Sequence, residues 1–364
     1  MPSPIGLRST SVAAVLGLAM LGWSVAKAPA AAARGFKQVN LVADTLGMAA
    51  HTDPDLLNPW GMTFDSAQKG PLTVADNHAG VATAYDPTGQ PAGTPVAIPA
   101  AAGSAMGAPT GVVFNSTTDF HGDTFISVSE DGIVAGWRAG APAVVEVDNS
   151  AATAIYKGVA LGSSSMGTFL YATNFHAGTV DVFDKDFRPA TLPGTFTDPK
   201  APAGFAPFGI HDIHGRLYVT FAMQDANRED DVKGDGHGFI DIFDTEGRLL
   251  RRFASGTAAG GKLTVLDSPW GMALAPRRFG RFGRALLVGN FGSGHIVAFD
   301  RRTAHPKGLL KDTAGNAFTL DGLWELLFGG GGSAGDPHKL YFTSGPDDEN
   351  HGLFGSLEVA RGGP

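Results

Sequence analysis

The chain has 364 residues, a formal net charge of −8 and no cysteine. Disulfides, thiolate catalysis and cysteine-bound metals are therefore excluded, and without a basic face to neutralise phosphates a nucleic-acid partner is not expected. With 43% hydrophobic and only 17% charged residues the chain can bury a sizeable core, while 51 Gly and 23 Pro suit a chain that turns often.

At the N-terminus, Arg8 precedes an uncharged, mostly apolar stretch, residues 11–26, and then a run of small residues to Ala33. This pattern reads as a cleaved secretory signal covering residues 1–33, too short for a spanning helix. Cleavage is expected between Ala30 and Ala33, because a cut after Ala28 would leave Pro29 directly behind it. No second apolar segment of membrane length follows. The mature chain is expected to be soluble, monomeric, free of transmembrane spans, and secreted or periplasmic.

From there the sequence repeats. Asn58-Pro59-Trp60-Gly61-Met62 returns as Ser268-Pro269-Trp270-Gly271-Met272. Weaker copies stand at Ala108-Pro109-Thr110-Gly111-Val112, Ile155-Tyr156-Lys157-Gly158-Val159 and Ala206-Pro207-Phe208-Gly209-Ile210. A sixth, Gly322-Leu323-Trp324-Glu325-Leu326, puts Glu where Gly is expected. Behind each copy come a second apolar run and a third, alternating run led by Gly and mostly closed by Asp. Gly80 to Asp86, Gly238 to Asp244 and Gly294 to Asp300 are examples. Strict alternation is the mark of strands, and a unit of about fifty residues with three or four short strands matches a propeller blade. The expected fold is all-β: a six-bladed β-propeller over residues 36–361, with blades starting near 58, 108, 155, 206, 268 and 321. The sixth unit runs out after its third strand, so residues 36–42 are expected to close the ring as its outer strand, which removes two free sheet edges.

In such a ring the aromatic–Gly copies form the innermost strands, and the loops beside them open on one face. Ligand-face candidates are Trp60, His78, His176, Trp270, Trp324, Glu325 and His351. The oxygen donors Asp76, Asn77, Glu130, Asn174, Asp225, Asn290, Asp347 and Asp348 are metal candidates, a hard set suited to a calcium-type ion near the axis. Turn chemistry also accounts for many Asp and Asn residues. The blade-four insertion, residues 225–237, is a calcium loop, a lid over the channel mouth, or a solvated loop. It lacks the sixth-position Gly of an EF-hand, and no Gly-x-Ser-x-Gly nucleophile motif occurs.

Asn58-Pro59-Trp60-Gly61, Thr52-Asp53-Pro54, Tyr156-Lys157-Gly158, Gln224-Asp225 and Gly345-Pro346-Asp347-Asp348-Glu349 together resemble a family of secreted bacterial proteins of unknown function. The resemblance covers nearly the whole mature chain. It implies a β-propeller and, in some members, a C-terminal surface-sorting tail that the ending Gly362-Gly363-Pro364 does not match. It brings no substrate or catalytic residue. The reading is a binding or scaffold module for an extracellular protein, glycan or small molecule. The alternative is a metal-dependent hydrolase of the lactonase type, with an axial divalent cation polarising a carbonyl.

Overall fold

Each repeat folds as a small antiparallel sheet, and six such sheets stand around one axis. The computed structural model describes residues 1–3, 6, 35–256 and 266–360. The segment expected to be a secretory signal lies almost wholly outside them. The innermost strands are Pro59–Phe64, Pro109–Phe114, Tyr156–Ser164, Phe205–Asp212, Pro269–Leu274 and Leu323–Phe328, one from each copy of the repeat. The next strands of each blade follow outward in chain order. The first blade, for example, continues with Leu72–Asp76, Val81–Tyr85 and Val96–Ala97. The third blade has only three strands, Tyr156–Ser164, Gly167–Asn174 and Thr179–Phe183.

Phe36–Ala43 pairs antiparallel with Leu353–Val359, from Phe36 opposite Val359 to Ala43 opposite Leu353. It is the fourth strand of the sixth blade, and the short strand His51–Thr52 lies parallel beyond it. Packing shows the same closure. Among the described residues, six apolar clusters each fill the gap between neighbouring blades, where an open row of six blades would have only five gaps. The gap that closes the ring holds Leu41, Val42, Met62, Val74, Tyr341 and Phe354, from blades six and one.

The aromatic–Gly step has a mechanical reason. The pairing of every inner strand with its neighbour slips there, between Pro59 and Met62, Pro269 and Met272, or Leu323 and Leu326. Such a bulge swings the strand against the next blade, and Gly allows the approach. A Cβ on Gly61 would lie 2.7 Å from the Thr110 carbonyl oxygen, and one on Gly271 would lie 2.3 Å from that of Trp324. Hydroxyls fasten the same joints. Thr110 donates to the Tyr156 carbonyl at 2.8 Å and Thr173 to that of Phe208 at 2.6 Å.

The aspartates that close the third strands belong to turns. Asp86 accepts from the backbone N–H of Thr88 and Gln90, Asp184 from Asp186 and Arg188, and Asp244 from Glu246 and Arg248. These side chains shape the outer hairpins.

Candidate functional site

The ring places one residue of each inner strand in a layer just ahead of the glycines: Trp60, Thr110, Lys157, Phe208, Trp270 and Trp324. Apolar members of this layer join Phe175 and Phe291 in a buried cluster at the axis. Trp60 stacks on Trp324 at 3.4 Å between ring centroids, Trp324 on Phe291 at 4.1 Å, and Trp270 stands edge-on to both tryptophans. Trp270 Nε1 donates to the Lys157 carbonyl at 2.9 Å and Trp324 Nε1 to Asn58 Oδ1 at 3.2 Å. Trp60 Nε1 has no partner, although the residue is only 2% exposed.

A chain of polar contacts runs from there around the mouth. Asn58 reaches Asn77 at 3.5 Å, and Asn77 Nδ2 donates to Glu130 Oε2 at 2.8 Å. The other oxygen of Glu130 takes the Lys157 ammonium, which also bonds Asp230 at 3.1 Å. With Trp324 at its start, this chain joins blades six, one, two, three and four. Lys157 is 2% exposed, and its ammonium lies 5.2 Å from the Trp60 ring centroid and 5.9 Å from that of Phe175. Burial alone would lower its pKa. Glu130 and Asp230 outweigh burial and raise it, so the ammonium stays charged.

The blade-four insertion folds over this mouth. Asp225 organises its first turn, accepting from Glu229 N at 2.9 Å and Asp230 N at 3.4 Å. The Gly234 N–H anchors it to Asp267 at 2.7 Å. Lys233 then lies 4.5 Å over the Phe291 ring and 3.8 Å from Asp348. Asp348 belongs to a tight turn from blade six in which Asp347, Asp348 and Glu349 all have positive φ, at 59°, 49° and 67°. Three successive non-glycine residues in that region hold backbone strain at a loop that lines a cavity. The cavity has a volume of about 220 Å3. Trp60, Trp324 and Phe291 form its floor, Lys157 and Lys233 stand over them, and Asp230, Asp231, Asp348 and Glu349 line it. The Glu349 carboxyl is pushed up to about 7, by burial first and then by Glu130, Asp231 and Asp230, against the opposing pull of Lys157.

The candidates named from sequence divide in three. Trp60, Trp270 and Trp324 meet at the axis, Asn77 and Glu130 meet at its mouth, and Asp348 lines the same cavity. Others hold their own surroundings together. Asp76 accepts from Thr83 N and Oγ1, and Asn174 bonds Asp181 and Ala177 N. Asn290 bonds Asp267 N, and Asp225 forms the turn just described. His78 lies 3.5 Å from Asn58, His351 joins Asp44 at 2.8 Å, and His176 Nδ1 is buried without a partner. Asp347 is exposed, 3.9 Å from His351. Glu325 belongs to neither set. It pairs with His211 beyond the glycine layer, in a different cavity. Among the described residues, no three His, Asp or Glu side chains converge as a metal site would need. Lys157, Lys233 and Phe291 were missed as site residues. Lys157 had a signal, being the single charged residue at the Trp position of the repeat.

No family model matches the chain. It is 30% identical over 340 residues to "Uncharacterized protein R648" of Acanthamoeba polyphaga mimivirus, covering 87% of this chain and 78% of that protein. It is 29% identical over 352 residues to "Uncharacterized protein L690" of the same virus, covering 90% and 87%. These relatives are viral, whereas the motifs resembled a bacterial family. Among solved structures, it is similar to a glucose dehydrogenase (TM-score 0.54, 14% identity, covering 89% of this chain and 99% of that one). A streptogramin B lyase is also similar (0.52, 10%, covering 89% and 97%), as is a Bacteroides thetaiotaomicron protein of unknown function (0.55, 9%, covering 90% and 76%). At these identities the likeness is one of fold.

Proposed function

Since this chain belongs to the family of the mimivirus protein R648, itself uncharacterized, its own site must supply the reading, and we propose a binding propeller whose lidded axial cavity takes a small ammonium-bearing ligand. The observation that carries this is the charge of the cavity. Four carboxylates line it against two lysines, and the repulsion of Asp231 and Asp230 adds to the burial that pushes Glu349 up to about 7. Such a pocket is short of positive charge. Its aromatic floor already carries two ammonium groups in cation–π contact, those of Lys157 and Lys233, so the chemistry that holds a third is in place. Trp60 Nε1 offers a donor to an acceptor oxygen on the same ligand. At about 220 Å3 the cavity is below the range of roughly 300–1,000 Å3 usual for drug-sized ligands. It suits one amino sugar or one amino-acid end. The N-terminal apolar segment supports a location outside the cytoplasm.

Titration calorimetry with glucosamine against glucose tests the reading. Glucosamine is expected to bind, more tightly at pH 7 than at pH 5, where Glu349 is protonated while the sugar's ammonium is charged at both, and glucose to bind at least about tenfold more weakly, the worth of one lost charged contact. Equal affinity for the two sugars would sink it. A single observation favours a catalytic reading instead: a carboxyl near 7 inside a cavity is poised to act as a general base. Turnover separates the two: a general base predicts that the parent converts the bound ligand and Glu349→Gln does not, whereas a binding module leaves it unchanged in both.

A further inference from the structure

The channel has a second cavity at its other end. Its volume is about 250 Å3, and its wall comes from the later halves of the inner strands, with Met62, Val113, Ala160, Met272 and Leu327 among its apolar members. The aromatic cluster at the axis lies between the two ends. Within this wall two polar side chains meet. His211 Nε2 lies 3.1 Å from Glu325 Oε1, which also accepts the Leu326 N–H at 2.9 Å.

The pair owes its existence to a break in the repeat. Five blades place Gly at this register, and only the sixth places a side chain, Glu325, which is 7% exposed. An ionised carboxylate only accepts, so Nε2 is the nitrogen that carries the hydrogen, and in the neutral ring Nδ1 keeps a lone pair. That Nδ1 is closed off from water and has no hydrogen-bond partner. Glu325 Oε2 likewise accepts nothing from the described residues. A buried polar atom without a partner costs about 1–3 kcal/mol, so the orphaned His211 Nδ1, next to a carboxylate whose second oxygen is unused, calls for an explanation. The charge of Glu325 is already met by two N–H donors, and what the pair lacks is neutral donors. Met62 and Met272, unbranched and adaptable, are the wall side chains that can yield to an entering group.

We infer that this end of the channel is a second ligand site, for a mainly apolar small molecule whose head donates hydrogen bonds to His211 Nδ1 and Glu325 Oε2. A primary amide or a vicinal diol has the required pair of donors. This inference is independent of the lidded cavity.

The probes are benzamide, phenylethane-1,2-diol and N,N-dimethylbenzamide, the last with the same body and no donor. The readout is 15N NMR of the His211 imidazole in the full chain. Benzamide and the diol are expected to move the Nδ1 resonance saturably. The dimethyl compound should bind at least about tenfold more weakly, the loss set by its missing hydrogen bonds. Glu325→Gly, which restores the residue found in the other five blades, should keep the fold and lose the response. The proposal is overturned if neither donor probe moves Nδ1 at millimolar concentration, or if the dimethyl compound binds equally well. It is also overturned if folded Glu325→Gly responds like the parent. Should that variant fail to fold, the comparison of benzamide with its dimethyl derivative on the parent chain still decides.

Discussion

The two ends of the channel are built from the same six strands and could hardly differ more. At one end the strands begin, and loops from several blades converge. An insertion and a strained turn cover a cavity holding two lysines and four carboxylates. At the other end the strands run out into a funnel of mostly apolar side chains, with Thr63 and Asp212 in its wall and one histidine–glutamate pair. The repeat therefore provides the ring and its glycine joints, and each departure from it provides chemistry. Lys157 replaces an aromatic residue, Glu325 replaces a glycine, and residues 225–237 extend a hairpin. Each can be removed without touching the other end, which makes the contrast open to experiment.

The largest effect is expected at the lidded end. Lys157→Met keeps the volume but leaves Glu130 and Asp230 without their buried partner. Breaking a buried pair costs roughly 3–5 kcal/mol, and since both carboxylates keep some contact with water, about 3 kcal/mol is expected in urea unfolding. His211 resonances should not move. A loss well under 1 kcal/mol would mean the polar chain around the mouth couples nothing. Next comes a joint common to both ends. Gly271→Ala sets a Cβ 2.3 Å from the Trp324 carbonyl oxygen, backbone that the closed ring holds in place. About 2–3 kcal/mol should be lost, as in other overpacked interiors. A neutral result would show that neighbouring blades can slide apart.

Glu349 gives a smaller effect with a definite pH signature. Its pKa is about 7 in the folded chain against an ordinary 4.5, so the folded state holds this proton more tightly than the unfolded one. Its contribution is fully favourable below 4.5 and declines as pH rises through about 7. Glu349→Gln removes that decline. The variant should gain on the parent across this window, by about 2 kcal/mol above pH 7 once access of solvent to the half-buried side chain is allowed for. A difference that stays flat with pH would show that Glu349 is already ionised, and the case for a cation-seeking cavity would weaken with it.

How much of this could be read in advance follows from periodicity. The blades, the inner strands and the closing strand from Phe36 were legible because alternation and a recurring aromatic–Gly step are local patterns. The tryptophans were legible as an axial group for the same reason. The site was only partly so. Asp76, Asn174 and Asn290 carry the right atoms for a metal, but each is engaged by nearby backbone or side-chain groups, Asp76 through one of its two oxygens, and sequence cannot show which donor is already engaged. Lys157 finds Asp230 across 73 positions, and His211 finds Glu325 across 114. Contacts of that range exist only once the blades have packed around the axis.

The smallest expected effect tests the contrast most directly. Gly at the sixth register is the residue the repeat itself would place there, so Glu325→Gly should be nearly free in the fold. It gives up the contacts from His211 and Leu326 and adds backbone freedom in a strand, together about 1 kcal/mol. Set beside the larger cost of Gly271→Ala, the pair of variants asks whether the register is symmetric. If Glu325→Gly instead cost as much as Gly271→Ala in the same urea series, the carboxylate would be a structural brace for the sixth blade. A cost near 1 kcal/mol leaves Glu325 as a side chain the fold does not need, held with His211 at the far end of the channel.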